Sequence, residues 1–483
     1  MPAQFMVTTR PSDLDGVDSL LIVGRDERLG QEDVVKLVPA AVGEAVYRQM
    51  VRKTDAGDTG RLATTWTAGS PSRLHVGVLP EPCSRHNAPS RAWAIPGLVS
   101  GAIHKGNVGI ALCLDAPEHA ASSVLAVARA LPTFVATSQS VDREARILLL
   151  PRGGGAPEPA RLLVAADAVR RAAHETDEPP DVLGCDEMVR RAQAVATELG
   201  VGCTVIRGDN LREHGLGGLY AVGKAANEAP ALVVLDYNPP GAKRTVGWVG
   251  KGIVYDTGGL SIKAKTSMPG MKTDMAGSAA VLAAFRAAVR LGFEHRLIAA
   301  LCIAENAVGP GALRPDDVIT MYSGRTVEVN NTDAEGRLVL SDGIAWVARN
   351  RSPDVLIDLA TLTGAQSVAT GKRHAAVICN DDALEAAAIA AGKHSGDLVH
   401  PLPYLPELLR AEFRSPVADM RNSVKDRSNA QPSCAAQFIA NHLQAVGYER
   451  PWLHVDLAAP AVSGGSRGTG FGVGLLLALE GLL

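Results

Sequence analysis

The chain has 483 residues, of which 46% are hydrophobic and 20% are charged, and its formal net charge is −3. This length exceeds what one compact core ordinarily accommodates, so two domains are expected, and the composition argues against a chain dominated by disorder. The small net charge gives no global attraction to nucleic acid or to an anionic membrane. Neither is therefore an expected partner, although a local basic face is compatible with this charge.

The N-terminus and the cysteines indicate the cellular compartment. The first residues reach Arg10 and Asp13 without an apolar core, and no apolar run approaches the ~20 residues of a membrane helix. The seven cysteines are scattered, odd in number and never spaced as C-x-x-C. We therefore expect a cytoplasmic protein whose thiols are reduced and mostly buried.

The first third of the chain alternates short apolar runs with Ala-rich stretches. The runs at 20–24 and 145–151 are typical of strands, and the alternation predicts a smaller N-terminal α/β domain over residues 1–158. Clustered Gly and Pro in 151–159 predict its edge, because neither residue continues a strand. The Ala/Arg-rich sequence that follows predicts a linker helix over 159–180.

From residue 181 onward, predicted strands alternate with predicted helices, two of which cover 278–290 and 336–349. This alternation predicts a larger C-terminal catalytic domain over 181–483, with a mostly parallel sheet covered by helices on both faces. The strands have the sequences ALVVLDY, WVGKGIVYD, RLIAALCIAEN, VLIDLATLTG, HAAVICND and WLHVDLAAP.

Four acids lie on predicted turns at strand ends or helix starts: Asp256, Asp274, Asp333 and Glu335. Taken singly, each is typical of a helix cap or of an acid near the positive end of a helix dipole. Converging in one cleft, four like charges require protons or cations, and two divalent metals would balance them. Mainly oxygen ligands are compatible with zinc, manganese, cobalt or magnesium, so the residues predict a dinuclear site without choosing its metal.

An arginine in the first turn of the second helix indicates a bound anion. Arg337 would repel the helix dipole unless an anion sat there, and exposed N–H groups beside a guanidinium suit one. A metal pair ~3.5 to 4 Å apart can activate a hydroxide while it polarises a carbonyl, which favours amide hydrolysis. Similar metal pairs also hydrolyse phosphoesters, so a dinuclear phosphoesterase is an alternative.

The string NTDAEGRL resembles the signature of the leucyl aminopeptidase family, and GKGIVYDTGGLSIK with MKTDMAG resembles the family's other active-site segment. The similarity extends through DLATLTGA and HVDLAAP and is looser in the N-terminal third. SRHNAPS and GDLVHPLPY resemble the branch named probable aminopeptidase-like. The resemblance implies a cytosol aminopeptidase, a dinuclear metallopeptidase that removes the N-terminal residue from peptides and assembles as a homohexamer.

The same resemblance implies roles for residues at matching positions. Asp256 and Glu335 would bridge two metals, zinc or manganese, and Lys251 would have to be neutral to bind one. Lys263 would be the electrophile, and Arg337 would hold a bicarbonate that relays the proton from a metal-bridged hydroxide. The implied metal ligands are Lys251, Asp256, Asp274, Asp333 and Glu335. The implied substrate-binding residues are Met271, Asn331, Thr361, Leu362 and Gly364.

Other motifs give weaker indications. GLYAVGKA, at 218–225, comes close to a phosphate-binding loop but ends in Ala225, which cannot bind magnesium, so we interpret it as a glycine-rich turn. His454, in an apolar strand, is typical of a core histidine. A DNA-binding or scaffold protein on the same fold is a further alternative, against which the net charge and the intact candidate ligands argue.

Overall fold

The computed structural model describes residues 4–103, 106–137, 144–155, 157–464 and 467–483, and the chain folds into two compact units. Within the described residues, no helix is both long enough and apolar enough to cross a membrane. The first unit consists of Met1–Arg170, Ala390–Leu398 and Gly474–Leu483, and the second consists of Arg171–Ile389 and Val399–Val473.

The first unit contains a six-stranded sheet with the strand order β1-β6-β5-β2-β4-β3. All neighbouring strands run parallel except β3 and β4. The strands predicted at 20–24 and 145–151 are confirmed as β2 and β6. The strands are β1 (Gln4–Thr8), β2 (Ser19–Gly24), β3 (Arg61–Trp66), β4 (Arg73–Val78), β5 (Val108–Leu114) and β6 (Glu144–Pro151). The helices in this part of the chain are α1 (Asp26–Leu29), α2 (Glu32–Val35), α3 (Glu44–Lys53), α4 (Ile95–Ala102), α5 (Ala120–Ala130) and α6 (Pro159–Asp177).

The second unit contains an eight-stranded sheet, which is the largest sheet formed by the described residues. Its strands are β7 (Gly202–Arg207), β8 (Ala231–Tyr237), β9 (Thr245–Asp256), β10 (Arg296–Asn306), β13 (Val355–Ala360), β14 (Ala375–Cys379), β15 (Val399–Pro401) and β17 (Trp452–Asp456). Shorter strands are β11 (Val318–Thr320), β12 (Thr326–Glu328), β16 (Met420–Arg421), β18 (Val462–Ser463) and β19 (Arg467–Gly468). The later helices are α7 (Cys185–Leu199), α8 (Asp209–Glu213), α9 (Gly217–Gly223), α10 (Ala276–Arg290), α11 (Gly336–Arg351), α12 (Gln366–Ala369), α13 (Asp382–Ser395), α14 (Pro406–Leu409), α15 (Gln431–Ala445) and α16 (Val473–Leu479).

The centre of the eight-stranded sheet is parallel, and its antiparallel pairs lie towards the edges. The strand order is β15-β14-β17-β13-β9-β10-β8-β7. Strands β17, β13, β9 and β10 run parallel to one another, whereas β8 is antiparallel to both of its neighbours and β14 is antiparallel to β17. This arrangement agrees with the predicted mostly parallel sheet.

Glycines on β9 allow helices to approach both faces of the sheet. A Cβ at Gly250 would lie 2.6 Å from the Cα of Ser278 on α10, and one at Gly247 would lie 3.3 Å from Val347 on α11. Because side chains alternate between the faces of a strand, positions 247 and 250 face opposite sides. The predicted cover of helices on both faces is therefore confirmed.

The carboxyl ends of the central strands bring polar residues to one edge of the sheet. Strand β9 ends at Asp256, β10 at Asn306 and β17 at Asp456, while β13 ends at Ala360 just before a pocket-lining loop. In open α/β sheets, ligands bind outside the carboxyl ends of parallel strands. This edge of the second unit is therefore the expected place for a functional site.

The interpretation of GLYAVGKA as a turn is wrong, because residues 217–223 form helix α9. Its glycines serve close packing. A Cβ at Gly217 would lie 2.0 Å from the carbonyl oxygen of Thr320, and one at Gly218 would lie 2.9 Å from that of Leu338. The small residues therefore let the helix lie against neighbouring backbone.

Predictions about structural residues hold elsewhere in the chain. His454 is fully buried on β17, with its Nδ1 atom 2.6 Å from Oδ1 of Asp358, which confirms a core histidine. All seven cysteines are free, and five of them are buried. The protein therefore contains no disulfide bond among these residues.

Candidate active site

A pocket of about 890 Å³ lies at the carboxyl edge of the eight-stranded sheet. Its volume lies within the range of pockets that bind small ligands, and a short peptide is a ligand of this size. The pocket is lined by every residue that the sequence analysis assigned to the site: Lys251, Asp256, Lys263, Met271, Asp274, Asn331, Asp333, Glu335, Arg337, Thr361, Leu362 and Gly364.

Lys251 lies within β9 and is buried among acids. Its Nζ atom lies 2.8 Å from an oxygen of Asp274 and 2.9 Å from one of Glu335, and it donates a hydrogen bond to the Thr361 carbonyl. Burial disfavours its charge, but the neighbouring carboxylates outweigh burial and raise the pKa of Lys251 above its usual value. Gly336 leaves the necessary room, because a Cβ there would lie 2.7 Å from Nζ.

Lys263 neutralises the other two acids. Its Nζ atom lies 2.7 Å from Oδ2 of Asp256 and 2.5 Å from Oδ1 of Asp333. The second oxygen of Asp256 accepts hydrogen bonds from the Gly258 N–H and the Asn306 side chain. Burial opposes the charge on Lys263, yet these carboxylates raise its pKa. Each lysine is thus paired with two carboxylates.

The acids form a cluster that can hold a divalent cation. Oxygens of Asp256, Asp333 and Glu335 lie within 4.8 Å of one another. Burial raises the pKa of Asp333, Asp274 and Glu335, and among the described residues Oε2 of Glu335 is buried without a hydrogen-bond partner. A buried carboxylate oxygen with no partner is costly unless a cation binds it. The donor set therefore fits oxygen-ligated metal ions.

The alternative interpretation of Asp274 and Glu335 as helix caps is wrong. Met275, not Asp274, occupies the N-cap position of α10. Glu335 occupies that position on α11, but its side chain makes no capping hydrogen bond. Both carboxylates turn instead towards Lys251, so their positions at the helix starts place them in the pocket lining.

Thr332 joins the two segments that carry the acids, and the sequence analysis missed it. Its hydroxyl donates to the Gly258 carbonyl at 2.6 Å and accepts from the Ser261 N–H at 2.7 Å. The Ser261 hydroxyl in turn accepts from the Thr332 N–H. The turn after β9 is therefore held against the turn before α11, and the only sequence signal was the position of Thr332 beside Asp333.

Asn422 is a second missed residue. It is fully buried, its Oδ1 accepts from the N–H groups of Asn330 and Asn331, and its Nδ2 donates to the Asn331 carbonyl at 2.6 Å. The Asn422 carbonyl accepts a hydrogen bond from Arg337 at 3.0 Å. Burial lowers the pKa of Arg337 to about 10. Asn422 therefore positions both the acid-bearing turn and the arginine.

Asp456 is a third missed residue, at the end of β17. It accepts hydrogen bonds from the Leu362 N–H at 3.1 Å and from the Thr363 hydroxyl at 2.7 Å. These bonds hold the loop 361–364, which forms one side of the pocket. The sequence HVDLAAP carried the resemblance but gave no role to this acid.

Buried acids paired with lysines, at the carboxyl edge of an α/β sheet and inside a peptide-sized pocket, define a metal-dependent hydrolase. A particular family can be assigned from similarity to known proteins. The chain belongs to the cytosol aminopeptidase family, whose catalytic-domain model matches residues 170–477. A model described as M17 aminopeptidase N-terminal domain 2 matches residues 18–140.

Individual relatives agree with this assignment. The chain is 50% identical to Probable aminopeptidase NPEPL1 of Homo sapiens over 418 residues, which cover 84% of this chain and 79% of the relative. Leucyl aminopeptidase from Trypanosoma brucei in complex with bestatin superposes with a TM-score of 0.91 and 37% identity, covering 100% of this chain and 96% of that one. The bottromycin maturation enzyme BotP in complex with Mn gives a TM-score of 0.79 and 31% identity, covering 96% and 98%.

The family resemblance drawn from the sequence is thus confirmed, and so is the enzyme class. The protein is a metal-dependent aminopeptidase, a hydrolase that acts on peptide bonds. The similarity also extends through the N-terminal third, where the sequence motifs were weakest.

Proposed function

We propose that this aminopeptidase removes the N-terminal residue from peptides with the help of two divalent metal ions. The residues that would hold the ions are Lys251, Asp256, Asp274, Asp333 and Glu335. The observation that carries the proposal is that four carboxylates and two lysines share one pocket, where Oε2 of Glu335 is buried and has no partner among the described residues. When bound, the metal pair supplies an activated water and polarises the scissile carbonyl.

Zinc or manganese suits this set of ligands. Carboxylate oxygens with one amine nitrogen are compatible with both ions, and the manganese complex of BotP supports manganese. Lys251 can serve as a ligand only after losing a proton, which the acids around it resist in the metal-free protein. Metal binding should therefore release protons.

Lys263 is the proposed electrophile. Its ammonium group is held between Asp256 and Asp333, and its side chain retains 15% exposure towards the pocket. It can therefore donate a hydrogen bond to the oxyanion that develops on the scissile carbonyl. Two fixed carboxylates keep the donor in place, so little reorganisation is needed when the charge develops.

Arg337 is the proposed seat of a bicarbonate ion. Its Nε atom is buried without a partner, and no carboxylate of the described residues lies within ion-pair distance of its guanidinium. A guanidinium fork matches the planar oxygens of bicarbonate, which would supply a proton acceptor beside the attacked carbonyl. Activity of wild-type enzyme should rise with added bicarbonate, and Arg337→Met should remove that response.

The substrate should bind with its N-terminal side chain against one side of the pocket. Met271, Asn331, Thr361 and Gly364 would contact this side chain, and Leu362 would position the peptide backbone. The loop that carries three of these residues is held by Asp456, so its shape is fixed before substrate binds.

We also propose a cytoplasmic location, a homohexameric assembly and a catalytic domain over 181–483 preceded by a linker helix. The family description, cytosol aminopeptidase, supports the location. Helix α6 covers most of the proposed linker. Analytical ultracentrifugation of the full chain tests the assembly by its mass.

The proposed reaction is tested with a panel of free and N-acetylated aminoacyl p-nitroanilides. The protein is stripped of metal and reconstituted with zinc, manganese or cobalt before each assay. We expect metal-dependent hydrolysis of the free amino compounds alone, because an acetylated amine could not coordinate a metal ion held by the acidic cluster. Glu335→Gln serves as the inactive control.

Two outcomes would contradict this proposal. Equal turnover of free and N-acetylated compounds would show that the free amine is not recognised. Metal-dependent release from p-nitrophenyl phosphate, without release from leucine p-nitroanilide, would support the phosphoesterase alternative.

A further inference from the structure

Charges in the pocket are sorted into two groups. The acids and lysines at its base pair with one another, and we call Lys251, Asp256, Lys263, Asp274, Asp333 and Glu335 the floor. Lys425 and Arg427 also line the pocket, and we call them the cationic wall. Among the described residues, no carboxylate lies within ion-pair distance of these two cations.

The loop that carries the wall is anchored to the acid-bearing turn that precedes α11. The Ser423 N–H donates to Oδ1 of Asn330 at 3.0 Å, and Nδ2 of Asn330 donates back to the Ser423 carbonyl. Val424 is buried, whereas Lys425 and Arg427 are exposed. The two cations therefore extend from a fixed base beside the acid-bearing turn.

The one acid within this loop does not neutralise its neighbours. Oδ1 of Asp426 accepts hydrogen bonds from the Ser428 N–H at 2.9 Å and from the Ser428 hydroxyl at 2.7 Å. Nδ2 of Asn429 donates to Glu412, which holds the far side of the turn. Asp426 is thus used within the loop, and the positive charges of Lys425 and Arg427 stay available to a ligand.

Both cations of the wall line one pocket, and Arg337 adds a further positive charge to the same lining. Like charges collected on one wall attract an anion, and their attraction is strongest where the pocket limits access of water. The floor, in contrast, is where a free amine and its carbonyl would bind.

We propose that the cationic wall binds a carboxylate on the residue that follows the scissile bond. This inference rests on the proposed aminopeptidase function and names its substrate class: dipeptides with a free C-terminus and peptides with Asp or Glu in second position. A short peptide carries a cation at one end and an anion at the other, which matches an acidic floor and a basic wall. Lys425 and Arg427 are then specificity-determining residues.

The test compares pairs of substrates that differ only in one charge. Leu-Gly against Leu-Gly-amide measures recognition of a terminal carboxylate, and Leu-Asp-amide against Leu-Asn-amide measures recognition of a side-chain carboxylate. We expect kcat/KM of the metal-loaded wild type to favour the anionic member of at least one pair by about tenfold. The double variant Lys425→Gln/Arg427→Gln should lower this ratio about fivefold or more, chiefly through KM.

A matched control separates the wall from general surface charge. Lys372 and Arg373 are adjacent, exposed and outside the pocket lining, so Lys372→Gln/Arg373→Gln removes the same charge elsewhere. This control should keep the wild-type ratio, and Lys425→Arg should keep it as well. Higher ionic strength should shrink the wild-type ratio, because exposed charges are screened by salt.

The results distinguish this inference from the function on which it rests. A wild-type ratio near one, with both substrates turned over, would overturn the carboxylate inference alone. An equal change of the ratio in the Lys372/Arg373 control would also overturn it. Turnover of neither substrate with any metal would overturn the inference and the proposed function together.

Discussion

The floor and the cationic wall of one pocket handle charge in different ways. On the floor, Lys251 and Lys263 are each held between two carboxylates and are largely removed from water. On the wall, Lys425 and Arg427 are exposed and lack a carboxylate partner among the described residues. Buried charges depend strongly on every partner, whereas exposed charges contribute little each and are weakened by salt.

Loss of one side chain should therefore reduce activity more on the floor than on the wall. Removing an acid from the floor takes away a proposed metal ligand and leaves its lysine partner buried, so both metal binding and chemistry should fail. Removing a charge from the wall leaves solvated neighbours, so only the choice among substrates should change. The expected effects therefore decrease from loss of a proposed metal ligand to loss of a supporting contact.

Glu335→Gln should have the largest effect. The change keeps the shape of the side chain but removes the charge of an acid proposed as a metal ligand. Loss of residues that merely support metal ligands already costs about 10- to 100-fold, so we expect kcat/KM to fall by more than about 100-fold. Metal content measured by mass spectrometry should fall in parallel. Glu449→Gln, at an exposed position, is the matched control. Full activity with full metal content would contradict a ligand role.

Lys263→Gln should lower kcat by about 100-fold, because it removes a fixed hydrogen-bond donor to the developing oxyanion. KM for leucine p-nitroanilide should change much less, and bound metal should be retained. Lys265→Gln, two residues away, exposed and outside the pocket lining, is the control for charge. A rise in KM with unchanged kcat would show that Lys263 binds substrate and does not act on the transition state.

Metal affinity should increase with pH, by up to about tenfold per unit for each proton released. Burial raises the pKa of Asp274 and Glu335 above the ordinary carboxyl range, and neighbouring acids outweigh burial to raise that of Lys251. All three must be deprotonated to bind metal, so affinity is weak at acid pH and strengthens as these groups lose protons. Calorimetric titrations in buffers with different ionisation enthalpies count the protons.

A variant of the wall provides a control for this proton count. Arg427→Gln should release the same number of protons as wild type, because Arg427 is not a proposed ligand. Heats that do not depend on the buffer would contradict the proposed ligation by protonated floor residues.

The sequence predicted the floor because its residues fall within two short segments. Asp256 and Asp274 lie in one segment and Asp333 and Glu335 in the other, and their family motifs are contiguous strings. The wall was not predicted, since Lys425 and Arg427 reach the pocket through a fold that places their loop beside Asn330. Pattern along the chain does not reveal such long-range proximity.

The supporting residues were missed for the same reason. Asn306 and Asp456 end strands that are neighbours of β9 and β13 in space but are far away in sequence. Alternating strands and helices predicted a mostly parallel sheet but not its strand order, so these residues could not be assigned to the site. Helix α9 was misjudged because its glycines, which allow close packing, are typical of turns.

Asp456→Asn should have a smaller effect than Glu335→Gln or Lys263→Gln. It tests a charge that is buried, as on the floor, but has no charged hydrogen-bond partner, as on the wall. Asp456 is fully buried, yet its hydrogen bonds come from neutral donors, the Leu362 N–H and the Thr363 N–H and hydroxyl. Asparagine keeps one acceptor, and its amide can donate to the hydroxyl, so we expect only a few-fold rise in KM and about 1 kcal/mol lost from the free energy of unfolding. Because Thr363→Val removes the same contact, the double variant should lose less than the sum of the single losses. Strictly additive losses in KM and in thermal midpoint would show that Asp456 does not act through the loop 361–364.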